Sequence, residues 1–414
     1  MTPDSKSAFN RLWFANLAAH GADQLSLAAL PLLAVLSLGA SPEEMGALGA
    51  AQTLPYLLLS LLAGFWADRF PRHWLMAGAE AGRSLLLLLL PLLAFTGWLG
   101  LGSLGLLGFL LAAASVVFNV AAQAYLPALV AREGLAAANA RLEFARAAAV
   151  FLGPGAAGLV ASWASPAIAL AVSALASAYA AWLLRAPEMR RPVPLQPRQS
   201  QNQSLGPALA EGFRIVWHEP LLRAIAGCAM AWNFSWFLLM AVFVLFATQR
   251  LGLSPAGIGL ALGVQGIGML LASVTLPLYQ ARLPLGVMIV IGPSLSALAA
   301  LLVASASLAE GSMATLLLGA GFFAFGYGPM LWTIGQTSLR QALVPARLIG
   351  RVSAIQQVAT LGMRPIGALI GGWVGGGWGL EAAMWLAAAG FGVQLAVILL
   401  SPVPRLQVLP EAAA

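Results

Sequence analysis

The dominant feature of the sequence is a series of long apolar runs separated by short polar segments. A helix needs about 20 apolar residues to cross a bilayer, and twelve runs approach that length. They cover approximately 13–37, 45–66, 74–97, 101–124, 142–162, 166–185, 221–247, 255–277, 284–306, 312–336, 352–376 and 380–401. The runs are continuous and lack the alternation of membrane β-strands. The sequence therefore predicts an all-α integral membrane protein with twelve transmembrane helices in two pseudo-symmetric six-helix bundles.

The composition excludes several other classes of protein. Only 8% of the residues are charged and 60% are hydrophobic, whereas soluble domains carry about 25% charged residues. The single cysteine and three separated histidines predict neither a disulfide framework nor a metal site. The sequence contains no nucleotide-binding loop and no nucleophile–base constellation. We therefore expect a protein that is not an enzyme and that uses no cofactor.

One polar stretch divides the twelve runs into two groups of six. It covers 186–220 and includes Pro192, Pro194, Pro197 and the segment RQSQNQS, a composition typical of linkers. We therefore predict an N-terminal bundle at 1–185 and a C-terminal bundle at 221–414. Within the linker, 206–219 has the pattern of a short interfacial helix.

The distribution of basic residues predicts the orientation in the membrane. With the N-terminus inside, eighteen of the 21 Lys and Arg residues fall in inner segments and only Arg250 in an outer loop. This bias is the positive-inside pattern, so we expect both termini on the cytoplasmic side of the inner membrane. Because the basic residues are scattered, the net charge of +7 does not indicate a nucleic-acid partner. We expect a monomer surrounded by membrane lipid.

A weak internal repeat supports two related halves. The segment ALVARE at 128–133 is echoed by ALVPAR at 342–347, about half the chain later. Each segment precedes an apolar run with one proline followed by small residues, Pro154 in the first half and Pro365 in the second. Two parallel six-helix repeats explain this echo simply.

The short inner loop between the second and third runs combines one acid with two arginines. It contains Gly64, Asp68, Arg69 and Arg72 within nine residues. Asp68 at this position can cap the positive end of a neighbouring helix, and the arginines can pair with acids on adjacent helices. Such contacts can lock a gate in one conformational state. The simpler alternative is that the arginines only fix the topology.

This loop, G-x-x-x-D-R-x-x-R, resembles the signature loop of the major facilitator superfamily. Twelve runs in two halves with a central cytoplasmic linker are similar to that superfamily over nearly the whole chain. The resemblance implies that Gly64, Asp68, Arg69 and Arg72 form an inner gate loop. It also implies that Asp68 faces the start of the eleventh helix. Pro71 replaces the glycine that the family usually has.

Two further segments resemble one subgroup of that superfamily. Residues 125–158 and RPIGALIGG at 364–372 are similar to the subgroup that contains enterobactin exporters and macrolide efflux proteins. GPGAAG in the fifth run partly matches the family's antiporter motif. The resemblance therefore implies an antiporter-like helix bend at Gly153, Pro154 and Gly158.

Ionisable residues inside the apolar runs are functional candidates, because burying a charge in a membrane is costly. They are Asp23, His20, Glu80, Arg83 and Arg364. Asp23 can carry a coupling proton, or it can form a fixed pair with His20 one turn earlier. Glu80 and Arg83 are three residues apart, so mutual neutralisation is the simpler interpretation. Arg364 has no acid within its own turn and can attract an anionic substrate or pair with Asp23 or Glu80.

Other polar, methionine and aromatic residues are candidates for a substrate cavity. Flexible methionines and large aromatic rings suit varied apolar ligands, although such residues usually pack against lipid or neighbouring helices. The candidates are Asn119, Gln123, Met230, Asn233, Trp236, Gln265, Phe323, Tyr327 and Gln336. We expect an apolar or amphipathic small-molecule substrate.

The leading hypothesis is a secondary transporter that exports hydrophobic or amphipathic small molecules by proton antiport with alternating access. The energy source is then the transmembrane proton gradient. An importer or a lipid or lysolipid translocator of the same fold is the first alternative. A membrane sensor or scaffold without transport is the second.

Overall fold

The computed structural model describes residues 3–130, 134–190, 205–280, 282–345 and 348–408. Within these ranges it contains thirteen α-helices. They are α1 Pro3–Leu38, α2 Pro42–Arg69, α3 Arg72–Phe95, α4 Leu101–Leu129, α5 Leu135–Trp163, α6 Pro166–Leu184, α7 Leu205–His218, α8 Pro220–Leu245, α9 Pro255–Gln280, α10 Leu285–Ser305, α11 Gly311–Leu343, α12 Ile349–Trp378 and α13 Leu380–Leu399.

Most of these helices have the length and composition of membrane spans. Among the described residues, ten helices qualify, and α2 is an eleventh if the 51° bend between Pro42–Ser60 and Leu62–Arg69 lies within one span. Helix α12 has 30 residues and matches a predicted run, but Arg364 and several glycines lower its mean hydropathy. Six long helices therefore precede the short helix α7 and six follow it. The prediction of an all-α, multi-pass membrane fold is confirmed.

Short polar segments determine where several helices begin. The hydroxyl of Ser41 accepts from the backbone N–H of Glu44, whose carboxylate accepts in turn from the backbone of Ser41, at the start of α2. At the start of α6, the hydroxyl of Ser165 accepts from the backbone N–H of Ile168. In both cases a proline follows the cap, where its missing N–H is not needed. These caps fix the starts of both helices, which lie within three residues of the starts of the predicted apolar runs.

The chain divides into two compact units. The first unit is Met1–Pro197 together with Gly252–Gly263. In it α1 packs against α5 and α6, α2 against α4, and α3 against α4 and α6. The hydroxyl of Tyr125 donates to the backbone carbonyl of Met189, 2.8 Å away, which fastens the segment after α6 to α4. The beginning of α9 belongs to this unit, where Gly259 meets Gly158 so closely that a Cβ on either would collide with backbone atoms.

The second unit is Arg198–Leu251 together with Val264–Ala414. In it α8 packs against α12 and α13, and α10 packs against α11 and α13. Helix α7 lies on α12, where Arg351 pairs with Glu211. Helix α7 occupies the place where we expected an interfacial helix, and its position at a membrane surface stays a prediction. Its exposed rings, Phe213 and Trp217, stack with centroids 5.9 Å apart.

Candidate functional site

Three ionisable residues form a buried cluster in the first unit. Arg83 on α3 is only 2% exposed. Its Nη1 lies 3.2 Å from Oε1 of Glu80, one turn earlier on α3, and 3.6 Å from Oδ1 of Asp23 on α1. The structure therefore brings together three of the residues that the sequence singled out, and Arg83 shares its charge between two acids.

The guanidinium of Arg83 is held by three further groups. Its Nε donates to the hydroxyl of Ser177 and its Nη1 to that of Ser115, each at 3.1 Å. Its Nη2 donates to the backbone carbonyl of Ala19. Ser115 in turn donates to Asp23 Oδ1 at 2.7 Å. These contacts join α1, α3, α4 and α6 around one cation.

The cluster contains more acid than base. If Asp23 and Glu80 are both ionised, their sum with Arg83 is one negative charge. Glu80 is fully buried, and burial makes an ionised carboxylate unfavourable. One added proton makes the cluster neutral, so the cluster is chemically able to hold and release a proton. His20 lies one turn before Asp23, and its ring contacts Phe118 edge to face at 6.3 Å.

The loop between α2 and α3 is tied to the end of α4. Arg72 donates through Nε to the carbonyl of Ala67 at 3.2 Å and through Nη1 to the carbonyl of Ala124 at 2.7 Å. The guanidinium of Arg69 lies 3.9 Å from the ring centre of Phe65. Asp68 is exposed, and a Cβ on Gly64 would meet no atom within 4 Å. Arg72 therefore holds the loop in place, whereas Gly64 leaves space beside the helix.

The proposed bend in α5 lies against α1. A Cβ on Gly153 would collide with the side chain and backbone of Gln24. Pro154 lies inside the helix. On the neighbouring helix α4, Asn119 is partly buried and Gln123 is exposed.

The second unit encloses a cavity of about 500 Å³ between α8, α10, α11, α12 and α13. Asn233 and Gln336, which the sequence analysis proposed for a cavity, line it together with Arg364, which was proposed as a buried charge. Arg340 and Gln356 also line it, and the sequence analysis did not select them. The lining is more polar than the aromatic cavity that we expected, because α12 contributes Ser353, Gln356, Gln357, Thr360 and Arg364. These positions lie on one face of a helix, so the spacing of polar residues in the sequence could have predicted this polar face.

Two arginines of this cavity are bound to amide side chains. Arg364 donates through Nε to Oδ1 of Asn233 at 2.9 Å, and its guanidinium lies 5.2 Å from the ring centre of Phe237. Arg340 donates through Nη1 to Oε1 of Gln356 at 2.8 Å.

The remaining cavity candidates lie elsewhere among the described residues. Trp236 packs against Phe325 at 5.0 Å within the aromatic core of the unit. Phe323 stacks on Tyr327 at 6.0 Å. The hydroxyl of Tyr327 donates to that of Tyr279 at 2.9 Å. Neither Met230 nor Gln265 is among the described residues that line the cavity.

Long apolar helices, a buried ion cluster and a polar cavity together define a multi-pass membrane protein of the transporter class. The chain belongs to the major facilitator superfamily, because the sequence model described as Major Facilitator Superfamily matches residues 12–362. A comparison with curated protein sequences gave no significant match.

Solved structures share this fold at low sequence identity. The nucleoside transporter NupG is 13% identical, with a TM-score of 0.74, and the match covers 96% of this chain and 99% of that one. A bacterial homologue of the iron transporter ferroportin, in an inward-facing state, is 17% identical, with a TM-score of 0.75 and coverages of 95% and 98%. A bacterial homologue of the human lysosomal transporter Spinster is 15% identical, with a TM-score of 0.71 and coverages of 98% and 98%. These similarities show the fold of this chain but do not identify its substrate.

Proposed function

We propose that the protein is a secondary active transporter that exports hydrophobic or amphipathic small molecules by proton antiport with alternating access. The observation that carries the proposal is the buried cluster in which Asp23 and Glu80 share the single cation of Arg83. We place the protein in the inner membrane as a monomer, with both termini in the cytoplasm.

The charge of this cluster gives a mechanism for coupling. A closed, dry cluster favours the state in which one carboxyl is protonated, because that state is neutral. A conformation that admits water lowers the cost of ionisation and releases the proton. The proton then binds on one side of the membrane and leaves on the other. The free energy of the proton gradient thereby shifts the equilibrium between the two conformations. His20, near Asp23, is placed to relay the proton.

The gate loop supports the alternating-access part of the proposal. Arg72 fastens the connection between α2 and α3 to α4, so movement of the loop is linked to movement of α4. We assign Asp68, with Arg69 and Gly64, to the gate contacts that form in one state and break in the other.

Sequence resemblance supports the direction of transport. Residues 125–158 and 364–372 are similar to the subgroup of enterobactin exporters and macrolide efflux proteins. Gly153 lies where α5 contacts α1, and Pro154 follows it within α5. We assign both to a helix bend that accompanies antiport. The alternative of an importer or a lipid or lysolipid translocator is favoured by Arg364, which is suited to an anionic headgroup.

Transport in liposomes tests the coupling. We expect a pH gradient to drive fluorescent amphipathic compounds across the membrane against their concentration gradient. Asp23→Asn and Glu80→Gln should each abolish this gradient-driven movement and leave compound binding intact. Glu143→Gln is the matched control, because Glu143 pairs with Arg146 in an exposed position, and it should transport normally.

Two results would contradict proton antiport. One is undiminished gradient-driven transport by both cluster variants. The other is movement by the wild-type protein that ignores the pH gradient, which would favour facilitated diffusion or lipid translocation.

A further inference from the structure

The cavity of the second unit is rich in positive charge. Arg340 and Arg364 both line it, and none of the described lining residues is acidic. Arg340 forms no ion pair within the described part of the chain. A cation within a membrane protein is costly unless an anion or water compensates it. Apart from Arg340 and Arg364, the described polar residues that line the cavity are neutral.

Arg340 and Gln356 together form a pair of unused hydrogen-bond donors. Their mutual hydrogen bond uses Nη1 of Arg340 and Oε1 of Gln356. Nε of Arg340 and Nε2 of Gln356 remain, and both are shielded from solvent without a partner in the described structure. Because a guanidinium has no acceptor and the amide oxygen is occupied, the two unpartnered atoms of this pair are both donors.

Among the other described lining residues, one donor and one acceptor are buried without a partner. Nε1 of Trp232 is buried without a partner, and Trp232 precedes Asn233, to which Arg364 donates. Among the described lining residues, Oε1 of Gln394 is the one acceptor that is buried without a partner. A buried donor without a partner is destabilising. A ligand that supplies acceptor oxygens removes this cost, whereas a ligand that supplies donors does not.

We infer that this cavity binds the carboxylate or phosphate group of an anionic amphipathic molecule, with Arg340 and Gln356 donating to its oxygens. The inference rests on the proposed function and narrows its substrate class. A volume of about 500 Å³ lies within the range of pockets for small molecules. Trp332, Leu361 and Ile225 supply apolar contact for the rest of the molecule.

Equilibrium binding to the full-length protein in nanodiscs of phosphatidylcholine tests the inference. The radiolabelled probes are octanoate, octyl phosphate and lysophosphatidate, with octanol and octylammonium as neutral and cationic controls. We expect saturable binding of at least one anionic probe, about ten-fold or more tighter than either control. Octanoate tests a carboxylate, octyl phosphate a soluble phosphate ester, and lysophosphatidate a lipid headgroup.

Variants test the role of the arginine. Arg340→Gln should weaken binding of the anionic probe about ten-fold or more, and Arg340→Lys should keep much of it. Gln356→Leu should weaken it less, because the guanidinium remains. Arg282→Gln removes an exposed arginine of the same unit and should leave binding unchanged. The comparison of probes uses only the wild-type protein, so it tests the preference for anions even if Arg340→Gln does not fold.

Equal binding of neutral, cationic and anionic probes would overturn the inference, as would unchanged anion binding by folded Arg340→Gln. The proposed function fails separately. Saturable, Arg340-dependent anion binding without gradient-driven transport supports the cavity and contradicts antiport. Gradient-driven transport of neutral or cationic compounds by a protein that binds no anion contradicts only this inference.

Discussion

At the scale of single residues, Arg83 determines whether the buried acids of the first unit can be tolerated. Its guanidinium contacts both Glu80 and Asp23, and two hydroxyls and one carbonyl also accept from its N–H groups. Without this cation, two carboxylates would lie close together with no compensating charge. The arginine therefore stabilises the fold and, under the proposed function, sets the proton affinity of the cluster.

We predict that Arg83→Gln destabilises the protein strongly. Removing one partner of a buried ion pair costs about 3–5 kcal/mol, because the other charge stays buried. The double variant Arg83→Gln with Glu80→Gln should recover part of this loss. Thermal unfolding of the purified protein, followed by fluorescence and size-exclusion chromatography, measures both effects.

Arg146→Gln provides the matched control. Arg146 and Glu143 have the same spacing as Arg83 and Glu80, but their side chains are 40% and 65% exposed. An exposed pair contributes about 0–1 kcal/mol, so this variant should unfold close to the wild type. Equal losses for the two arginine variants would show that burial does not decide the effect.

Only part of this cluster could be predicted from the sequence. The spacing of Glu80 and Arg83 indicated a local pair, and Asp23 stood out as an acid in an apolar run. The link between Asp23 and Arg83 joins residues 60 positions apart and depends on how α1 packs near α3. Ser115 and Ser177 gave no signal, because a serine in an apolar helix usually bonds its own backbone.

At the scale of helices, several extend beyond the apolar runs that predicted them. Helix α4 ends at Leu129 and not near 124, and α5 begins at Leu135 and not near 142. Helix α11 continues to Leu343, seven residues past its run. The length of an apolar run matches the thickness of the hydrocarbon core of the bilayer. The helix itself continues beyond the run, because backbone hydrogen bonds also form between polar and charged residues. Arg340 lies in such an extension, which is why the sequence analysis did not place it in a cavity.

Close packing of α8 and α12 depends on two glycines. A Cβ on Gly367 would collide with the carbonyl oxygen of Phe234, and one on Gly371 with that of Leu238. Small residues allow membrane helices to approach this closely. The glycines that lower the hydropathy of α12 therefore serve its packing in the second unit.

We predict that Gly367→Ala lowers the stability of the protein by about 1–3 kcal/mol, as expected for overpacking. The control is Gly362→Ala in the same helix, where a Cβ meets nothing within 4 Å. Alanine favours a helix over glycine by about 0.5–1 kcal/mol, so the control should be neutral or slightly stabilised. Thermal unfolding in detergent compares the two variants. A stable Gly367→Ala variant would mean that α8 and α12 are able to separate without cost.

At the scale of the whole molecule, the number of long helices followed from the sequence, but their inward faces did not. In a soluble helix the polar face marks solvent, whereas here both the core and the lipid-facing surfaces are apolar. Phe322 and Phe325 are buried in the core of the second unit, while Phe95 and Trp163 are exposed, and nothing in their local sequence separates the two pairs. The aromatic residues of α11 were for that reason expected in the cavity, and the polar face of α12 was overlooked.

The distribution of arginines makes a topological prediction that the chain is suited to test. Cys228 is the only cysteine in the sequence and is fully buried, so single cysteines introduced at exposed positions can be labelled without background. We predict that Trp98→Cys and Leu308→Cys react with a membrane-impermeant maleimide in intact spheroplasts. Phe70→Cys and Leu400→Cys should react only after the membrane is permeabilised. All four native side chains are exposed, so the difference in labelling reports the side of the membrane. Trp98 and Phe70 sample the first half of the chain, and Leu308 and Leu400 sample the second half. A reversed pattern for Leu308→Cys and Leu400→Cys alone would mean that the two halves have opposite orientations and that the number of spans between them is odd.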